Sequence, residues 1–197
     1  MISNTDPYFE FLNEEYLFFC DVETTGFDPI RNDIVSVAMV VTDKNMNWEG
    51  EFYQTLRPEF NKFYSAEAEK IHGFNKKQML EFPHPRKTLI ELLKFLNRWR
   101  SPGQWHPFIF HALRGFDFKF LEWAFRKQEL HWSFFKMFDE RFTQSTISMA
   151  RSAGYSGNKL NEWADRLDFG LDHHNALSDT KCCAEVYGFL RQENGLE

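Results

Sequence analysis

Cysteine is scarce in this chain, and its positions exclude the common cysteine-based sites. The three cysteines among the 197 residues are Cys20, Cys182 and Cys183, and no two of them form a C-x-x-C pair. Neither a disulfide framework nor a zinc knuckle is therefore expected. So few cysteines fit a reducing compartment best, and we expect a cytoplasmic protein.

The chain also lacks an apolar run of the roughly 18 residues that a membrane-spanning helix needs. Its hydrophobic content is 43% and its mean hydropathy is −0.52. These values exclude a membrane-embedded protein and a disordered chain, so no membrane partner is expected. Met1 to Glu10 is acidic and polar, and no secretory signal is expected there.

Positive charge is in deficit, with 23 Lys and Arg against 29 Asp and Glu and a net charge of −6. This balance argues against a protein held on nucleic acid by a global basic field. It is compatible with a nucleic-acid enzyme whose acidic site is neutralised by bound metal. The sequence shows no repeat, low-complexity tract or linker, and we predict one domain over residues 1–197 with a core at about residues 16–191.

Aromatic residues are abundant, since 23 Phe, 6 Trp and 6 Tyr make up 18% of the chain. Most of them are expected to fill the core, and a few could stack on bases. The hydrophobic spacing predicts strands at Tyr16–Glu23, Ile34–Val41, Glu51–Leu56 and Pro107–His111. It predicts helices at Thr88–Arg100, Phe116–Lys127, Thr146–Ala153, Leu160–Leu167 and Ala176–Arg191. This order favours an α/β fold with a mixed sheet.

Two carboxylates lie on one face of the first predicted strand. Side chains alternate along a strand, so Asp21 and Glu23 share a face with Phe19. Like charges so close together are costly at the end of an apolar strand unless a cation lies between them. The strand is followed by Thr24, Thr25 and Gly26, a turn whose glycine allows a ligand to approach the backbone.

Two more carboxylates are predicted to face inward from helices. Asp117 lies on the apolar stripe of its helix with Phe120 and Leu121, and Asp179 lies on the stripe of the last helix. His174 stands five residues before Asp179 and is a plausible general base. His173, six residues before Asp179, is expected to point elsewhere.

Four inward carboxylates from three segments favour hard divalent cations. Oxygen ligands suit Mg²⁺ or Mn²⁺ rather than zinc, and two such ions can stabilise both oxygens of a phosphoryl displacement. Surface charges without a site would be the alternative interpretation.

At this point the sequence resembles the DnaQ-like, or DEDDh, 3′–5′ exonucleases. The matching motifs are Asp21–Gly26 (DVETTG), His111–Asp117 (HALRGFD), His174–Asp179 (HNALSD) and, more weakly, Ile71–Phe74 (IHGF). The similarity covers about residues 16–190. Two positions depart from the family pattern: Ala112 stands where an Asn is usual, and Ser145 where many members have Asp.

The resemblance implies a ribonuclease H-like mixed β-sheet flanked by helices on both faces. By matched position it implies that Asp21, Glu23, Asp117 and Asp179 hold two divalent ions, Mg²⁺ or Mn²⁺, and that His174 deprotonates the attacking water. It assigns substrate contacts to Thr24, Thr25, Gly26, Phe27, His72 and His111.

The function implied is a metal-dependent 3′–5′ exonuclease that releases nucleoside monophosphates from single-stranded DNA ends. Single-stranded 3′ ends are the expected partner, with DNA favoured over RNA, and a polymerase or repair partner stays open. The alternatives are a 3′–5′ exoribonuclease similar to oligoribonuclease or RNase T, and a non-catalytic nucleic-acid-binding module. No motif reads a 2′-hydroxyl, so the sequence does not choose the sugar.

Overall fold

A mixed five-stranded sheet forms the centre of the protein. The computed structural model describes residues 15–59, 64–99, 108–111, 115–130, 143–156 and 159–193. The strands are β1 (Tyr16–Thr24), β2 (Ile34–Asp43), β3 (Trp48–Thr55), β4 (Phe108–Phe110) and β5 (Thr143–Ser145). Their order across the sheet is β3-β2-β1-β4-β5. The β1–β2 and β2–β3 pairs are antiparallel, and the β1–β4 and β4–β5 pairs are parallel.

Seven helices lie among the described residues. They are α1 (Ala66–His72), α2 (Lys76–Leu80), α3 (Pro85–Leu96), α4 (Phe116–Lys127), α5 (Thr146–Ser152), α6 (Leu160–Leu167) and α7 (Ala176–Glu193). Helices α4 and α6 have the predicted bounds. Helix α3 begins three residues earlier than predicted, because Pro85 occupies its first turn and His84 caps it.

The pleat of β1 separates two cores. Phe18, Cys20 and Val22 pack on one face against α3 and α4. Leu17 and Phe19 pack on the other face against α6 and α7. The predicted α/β architecture, a mixed sheet with helices on both faces, is therefore confirmed.

Phenylalanine fills much of both cores, as the composition predicts. Phe18, Phe19, Phe108, Phe110, Phe120 and Phe125 are fully buried. The three cysteines are buried and free. Among the described residues, no helix combines the length and the apolar character needed to cross a bilayer.

Candidate active site

The carboxyl end of β1 carries the first two site residues. Glu23 is buried and Asp21 is half-buried, and both side chains lie on the face covered by α7. Among the described residues, the parallel partner β4 pairs with β1 at Phe18 and Phe19. Three residues farther along β1, the Val22 backbone contacts the start of α4.

Asp117 is the residue of α4 that makes this contact with β1. It lies in the first turn of α4, two residues after a left-handed Gly115, and is only 3% exposed. Its Oδ1 accepts a hydrogen bond of 3.2 Å from the Val22 N–H. Its Oδ2 is buried and has no hydrogen-bond partner within the described part of the chain. A buried carboxylate oxygen without a donor is costly unless a cation binds it.

Asp179 enters from α7, where it is buried as the helical stripe predicts. The His174 N–H donates to Asp179 Oδ2 at 3.1 Å. The left-handed backbone of His174, with φ 67°, turns the chain so that this amide faces the carboxylate. The loop residue His174, which precedes α7, thus orients the Asp179 carboxylate through its backbone amide.

His173 corrects one expectation from the sequence. Its Nδ1 lies 3.4 Å from Asp179 Oδ1, so the prediction that this residue points elsewhere is wrong. The rings of His173 and His174 stack with centroids 3.9 Å apart. Counting residues along a helical period failed here because both histidines precede the helix and follow the loop geometry instead.

The carboxylates lie close enough to share a cation. One ligand oxygen from each of Asp21, Glu23 and Asp179 lies within 4.8 Å of the others. Burial, then the neighbouring carboxylates, raise the pKa of Asp21 well above its usual value and that of Glu23 to about 8. Burial also raises the pKa of Asp117 and of Asp179.

These shifts arise because burial and the neighbouring carboxylates disfavour the ionised forms of Asp21 and Glu23 when no cation lies between them. The four carboxylates offer oxygen ligands, and in the described part of the chain no hydrogen-bond donor reaches Asp117 Oδ2. The residues therefore fit hard divalent ions such as Mg²⁺ or Mn²⁺.

His174 is available to exchange protons. Its side chain is exposed, and its pKa is lowered by burial of the ring and by the neighbouring His173. A lowered pKa keeps the imidazole neutral at neutral pH, which is the form that accepts a proton.

The turn after β1 is tightly built. Thr24 Oγ1 donates to the Gly26 carbonyl at 2.7 Å. A Cβ on Gly26 would lie 2.7 Å from the side-chain amide of Asn32, so a larger residue there would displace the amide that accepts the Asp28 N–H. Phe27 is 74% exposed, and its ring centroid is 6.5 Å from that of Phe116, the residue before Asp117. The turn thus presents an exposed aromatic face beside the carboxylates.

The two remaining candidate histidines are fixed by local contacts. His111 Nδ1 lies 2.7 Å from Thr146 Oγ1. His72 is buried, its Nδ1 accepts the Phe74 N–H at 3.1 Å, and its Nε2 has no hydrogen-bond partner among the described residues. Their substrate contacts stay predictions.

The two departures from the family pattern have different outcomes. Ser145 caps α5 by accepting the Ser148 N–H, a task that an Asp would also perform. Ala112 lies outside the described residues.

Sequence reasoning missed two features near the site. One is the contact of His173 with Asp179. The other is an ion pair between Lys127 and Asp33, which lies behind the turn. No local signal could reveal that pair, because its partners are 94 residues apart.

Comparison with known proteins identifies the family of this chain. A family model described as exonuclease matches residues 18–187. DNA polymerase III subunit epsilon from Buchnera aphidicola is 24% identical over 86% of this chain and 68% of its own length. The 3′-5′ exonuclease DinG from Bacillus subtilis is 30% identical over 91% of this chain, but the chain spans only 17% of that protein.

Solved structures share the fold. Exonuclease I from E. coli, in complex with a dA16 oligonucleotide, matches 93% of this chain and 42% of its own with a TM-score of 0.73 and 13% identity. A 3′-exonuclease that recognises the histone mRNA stem-loop matches 91% of this chain and 82% of its own, with a TM-score of 0.71 and 16% identity. The solved structures share the ribonuclease H-like fold. The family match over residues 18–187 shows that this chain belongs to the DnaQ-like exonuclease family.

Proposed function

We propose that this chain is a divalent-metal-dependent 3′–5′ exonuclease that hydrolyses single-stranded DNA and releases nucleoside monophosphates. The observation that carries the proposal is the convergence of Asp21, Glu23 and Asp179 beside an oxygen of Asp117 that has no hydrogen-bond partner among the described residues. His174 and an exposed aromatic turn border the same cluster.

The four carboxylates would hold two Mg²⁺ or Mn²⁺ ions. When bound, such ions supply electrostatic stabilisation of the attacking and leaving oxygens in a phosphoryl displacement. The chain contributes the fixed positions of the ligands: Val22 orients Asp117, and the His174 amide orients Asp179. Preorganised ligands avoid the cost of rearranging at the moment of reaction.

His174 acts as the general base in this proposal. Its neutral imidazole takes the proton of the attacking water, whose oxygen forms a bond to the terminal phosphorus. The bond from phosphorus to the 3′-oxygen of the preceding nucleotide breaks, and that oxygen leaves with a proton from solvent. The product is a 5′-monophosphate and a strand shorter by one nucleotide.

The turn after β1 binds the 3′ end of the DNA strand in this proposal. The backbone around Thr24 and Thr25 lies at the end of β1 beside Glu23 and can contact the terminal nucleotide, while Phe27 offers a face on which a base can stack. Stacking tolerates any base, which suits an enzyme that degrades without sequence preference.

DNA is the favoured substrate because one relative is named as a DNA polymerase subunit and one structural neighbour binds a dA16 oligonucleotide. The polymerase relative also supports a polymerase as a possible partner. The three buried, free cysteines fit a cytoplasmic location. RNA is the second candidate, because the neighbour that recognises a histone mRNA stem-loop has the same fold and a similar length.

Product analysis tests the proposal. The protein is incubated with 5′-labelled single-stranded DNA or RNA of the same sequence, with Mg²⁺, Mn²⁺ or EDTA. We expect DNA to be shortened stepwise from its 3′ end, giving a ladder of labelled products. A 3′-phosphate on the substrate should slow this degradation strongly. Faster degradation of RNA would make the chain an exoribonuclease, and cleavage of a closed single-stranded circle would make it an endonuclease.

A further inference from the structure

The turn that follows β1 rests on the segment that leads into β2. The Thr25 N–H donates to the Asp33 carbonyl at 2.9 Å, and the Asp33 N–H donates to Thr25 Oγ1 at 3.0 Å. The side chain of Asn32 accepts the Asp28 N–H at 3.0 Å and packs against Gly26. The shape of the turn therefore depends on where Asn32 and Asp33 are held.

Lys127 holds both residues. Its Nζ donates to the Asn32 carbonyl at 2.7 Å and to Asp33 Oδ1 at 2.8 Å. The side chains of Lys127 and Asp33 are only 16% and 13% exposed. Asp33 Oδ2 accepts the Glu59 N–H at 2.9 Å, so both oxygens of this carboxylate are used. A shielded ion pair with such complete hydrogen bonding resists rearrangement, since breaking it leaves a buried charge.

The same helix carries a metal-ligand candidate at its other end. Asp117 lies in the first turn of α4 and Lys127 is its last residue. Ten residues of helix make a rigid span of about 15 Å. Helix α4 is thus joined to the β1–β2 region twice, through the Val22 N–H at its start and through the Asn32–Asp33 segment at its end.

We propose that Lys127 is a positioning residue for the substrate-binding turn. It does not touch substrate. It ties the turn to the helix that holds Asp117, so that the terminal nucleotide and the metal ligands keep a fixed relative position. The inference rests on the proposed function, because it assigns the turn to substrate binding. A turn that is already held in its binding conformation avoids an ordering cost when the nucleotide binds, so the loss of this tie is expected mainly in KM.

The test compares variants at adjacent residues of α4. Lys127→Met keeps the aliphatic stem and removes the two contacts, and Lys127→Arg restores a cation. Arg126→Met is the matched control, since Arg126 pairs with Glu122 on the same helix at an exposed position. Each variant is measured for KM and kcat on a short single-stranded oligonucleotide, for Mn²⁺ affinity by calorimetry, and for amide hydrogen exchange over residues 24–28.

Lys127→Met should raise KM about tenfold with kcat changed less than about threefold, the pattern of lost substrate binding. Its Mn²⁺ affinity should stay at the parental value, because all four carboxylates remain. Exchange over residues 24–28 should speed up. Lys127→Arg should recover most of the KM, and Arg126→Met should match the parent in every measurement. A folded Lys127→Met protein with parental KM and parental exchange overturns the inference, as does a loss of Mn²⁺ affinity at unchanged KM.

A second variant covers the case in which Lys127→Met does not fold. Lys127→Met combined with Asp33→Asn removes both charges, so no buried charge is left unpaired. This double variant should still raise KM, because the link to the Asn32 carbonyl is lost. If its KM and its amide exchange over residues 24–28 both match the parent, the inference is overturned. The exchange measurement separates this inference from the proposed function: an inactive parent protein refutes the function, whereas exchange that does not respond to Lys127 refutes the positioning role.

Discussion

The Val22 N–H donates to Asp117 Oδ1 across 3.2 Å, which joins the end of β1 to the start of α4 over 95 residues of sequence. This contact lies three residues beyond the pairing of β1 with β4 at Phe18 and Phe19. It also fixes the carboxylate, leaving Oδ2 buried and without a partner among the described residues. The backbone of the strand that carries Asp21 and Glu23 thereby orients the carboxylate of Asp117 on α4.

Metal removal is the first prediction. Activity should vanish in EDTA and return with Mg²⁺ or Mn²⁺, and Asp21→Asn or Glu23→Gln should abolish it, because these oxygens would hold the ions. Nucleotide release measures the effect. Asp165→Asn on the exposed face of α6 is the control and should keep full activity. Parental activity in EDTA would end the two-metal interpretation.

The stability of the metal-free protein should fall as pH rises. Burial raises the pKa of Glu23 from 4.5 to about 8, and the pKa of Asp21 well above its usual value. A carboxyl whose folded pKa lies above its unfolded value stabilises the fold at low pH, and this stability is lost as the pH rises through the folded pKa. Thermal melts in EDTA between pH 4.5 and 8 should show this fall.

The matched variant for this melt is Glu23→Gln, which cannot ionise. At pH 8 in EDTA it should melt a few degrees above the parent, the shift that roughly 1 kcal/mol produces in a domain of this size. Near pH 4.5 the advantage should disappear. A parent protein that is more stable at pH 8 than at pH 5 in EDTA would contradict the raised pKa values.

His174→Ala should lower kcat by about 10²–10⁴-fold, the usual contribution of a general base. Mn²⁺ and oligonucleotide binding should change little. In the parent, the rate should rise with pH through a pKa below 6.5, since burial and His173 lower the pKa of His174. His84→Asn at the exposed cap of α3 is the control. A folded His174→Ala protein with parental kcat would remove this residue from the mechanism.

His173→Ala should act through Asp179. Because His173 Nδ1 lies 3.4 Å from Asp179 Oδ1, its loss should weaken Mn²⁺ affinity by about tenfold, as removal of a ligand's supporting contact commonly does. At saturating Mn²⁺ its kcat should exceed that of His174→Ala. If His173→Ala at saturating metal is the more severely impaired variant, the base has been assigned to the wrong histidine.

Phe27→Ala should weaken substrate binding without affecting stability. The side chain is 74% exposed, so its removal costs little packing. Loss of one base-stacking contact, worth roughly 1–3 kcal/mol, should raise KM by about 5- to 160-fold. Leu80→Ala, at a similarly exposed apolar residue on α2, is the control. Unchanged KM on oligonucleotides would exclude stacking on Phe27.

Helices and strands with a clear hydrophobic period could be predicted from the sequence. Short elements with too few residues to show a period could not. Helices α4 and α6 follow an apolar stripe and have the predicted bounds. The three-residue strand β5 was missed, since it has too few residues to show alternation and depends on its pairing with β4. The short helices α1 and α2 were also missed, although Ser65 and Asn75 cap them by side-chain hydrogen bonds.

The sequence by itself determined which residue types face inward. The two-residue repeat of β1 places Asp21 and Glu23 on one face, and the helical repeats place Asp117 and Asp179 on buried stripes. Glu23, Asp117 and Asp179 are accordingly buried, and Asp21 is half-buried. Periodicity is a local property, so it can be read without knowing the partners of each element.

Only the tertiary structure decided how these groups meet. The Val22–Asp117 bond, the contact of His173 with Asp179, and the Lys127–Asp33 pair join residues across loops or across more than 90 positions of sequence. Such contacts depend on the packing of α4 and α7 against the sheet and on a left-handed residue at the entry to α7. No repeat in the sequence encodes those positions, because loop geometry and helix packing are set by the whole fold.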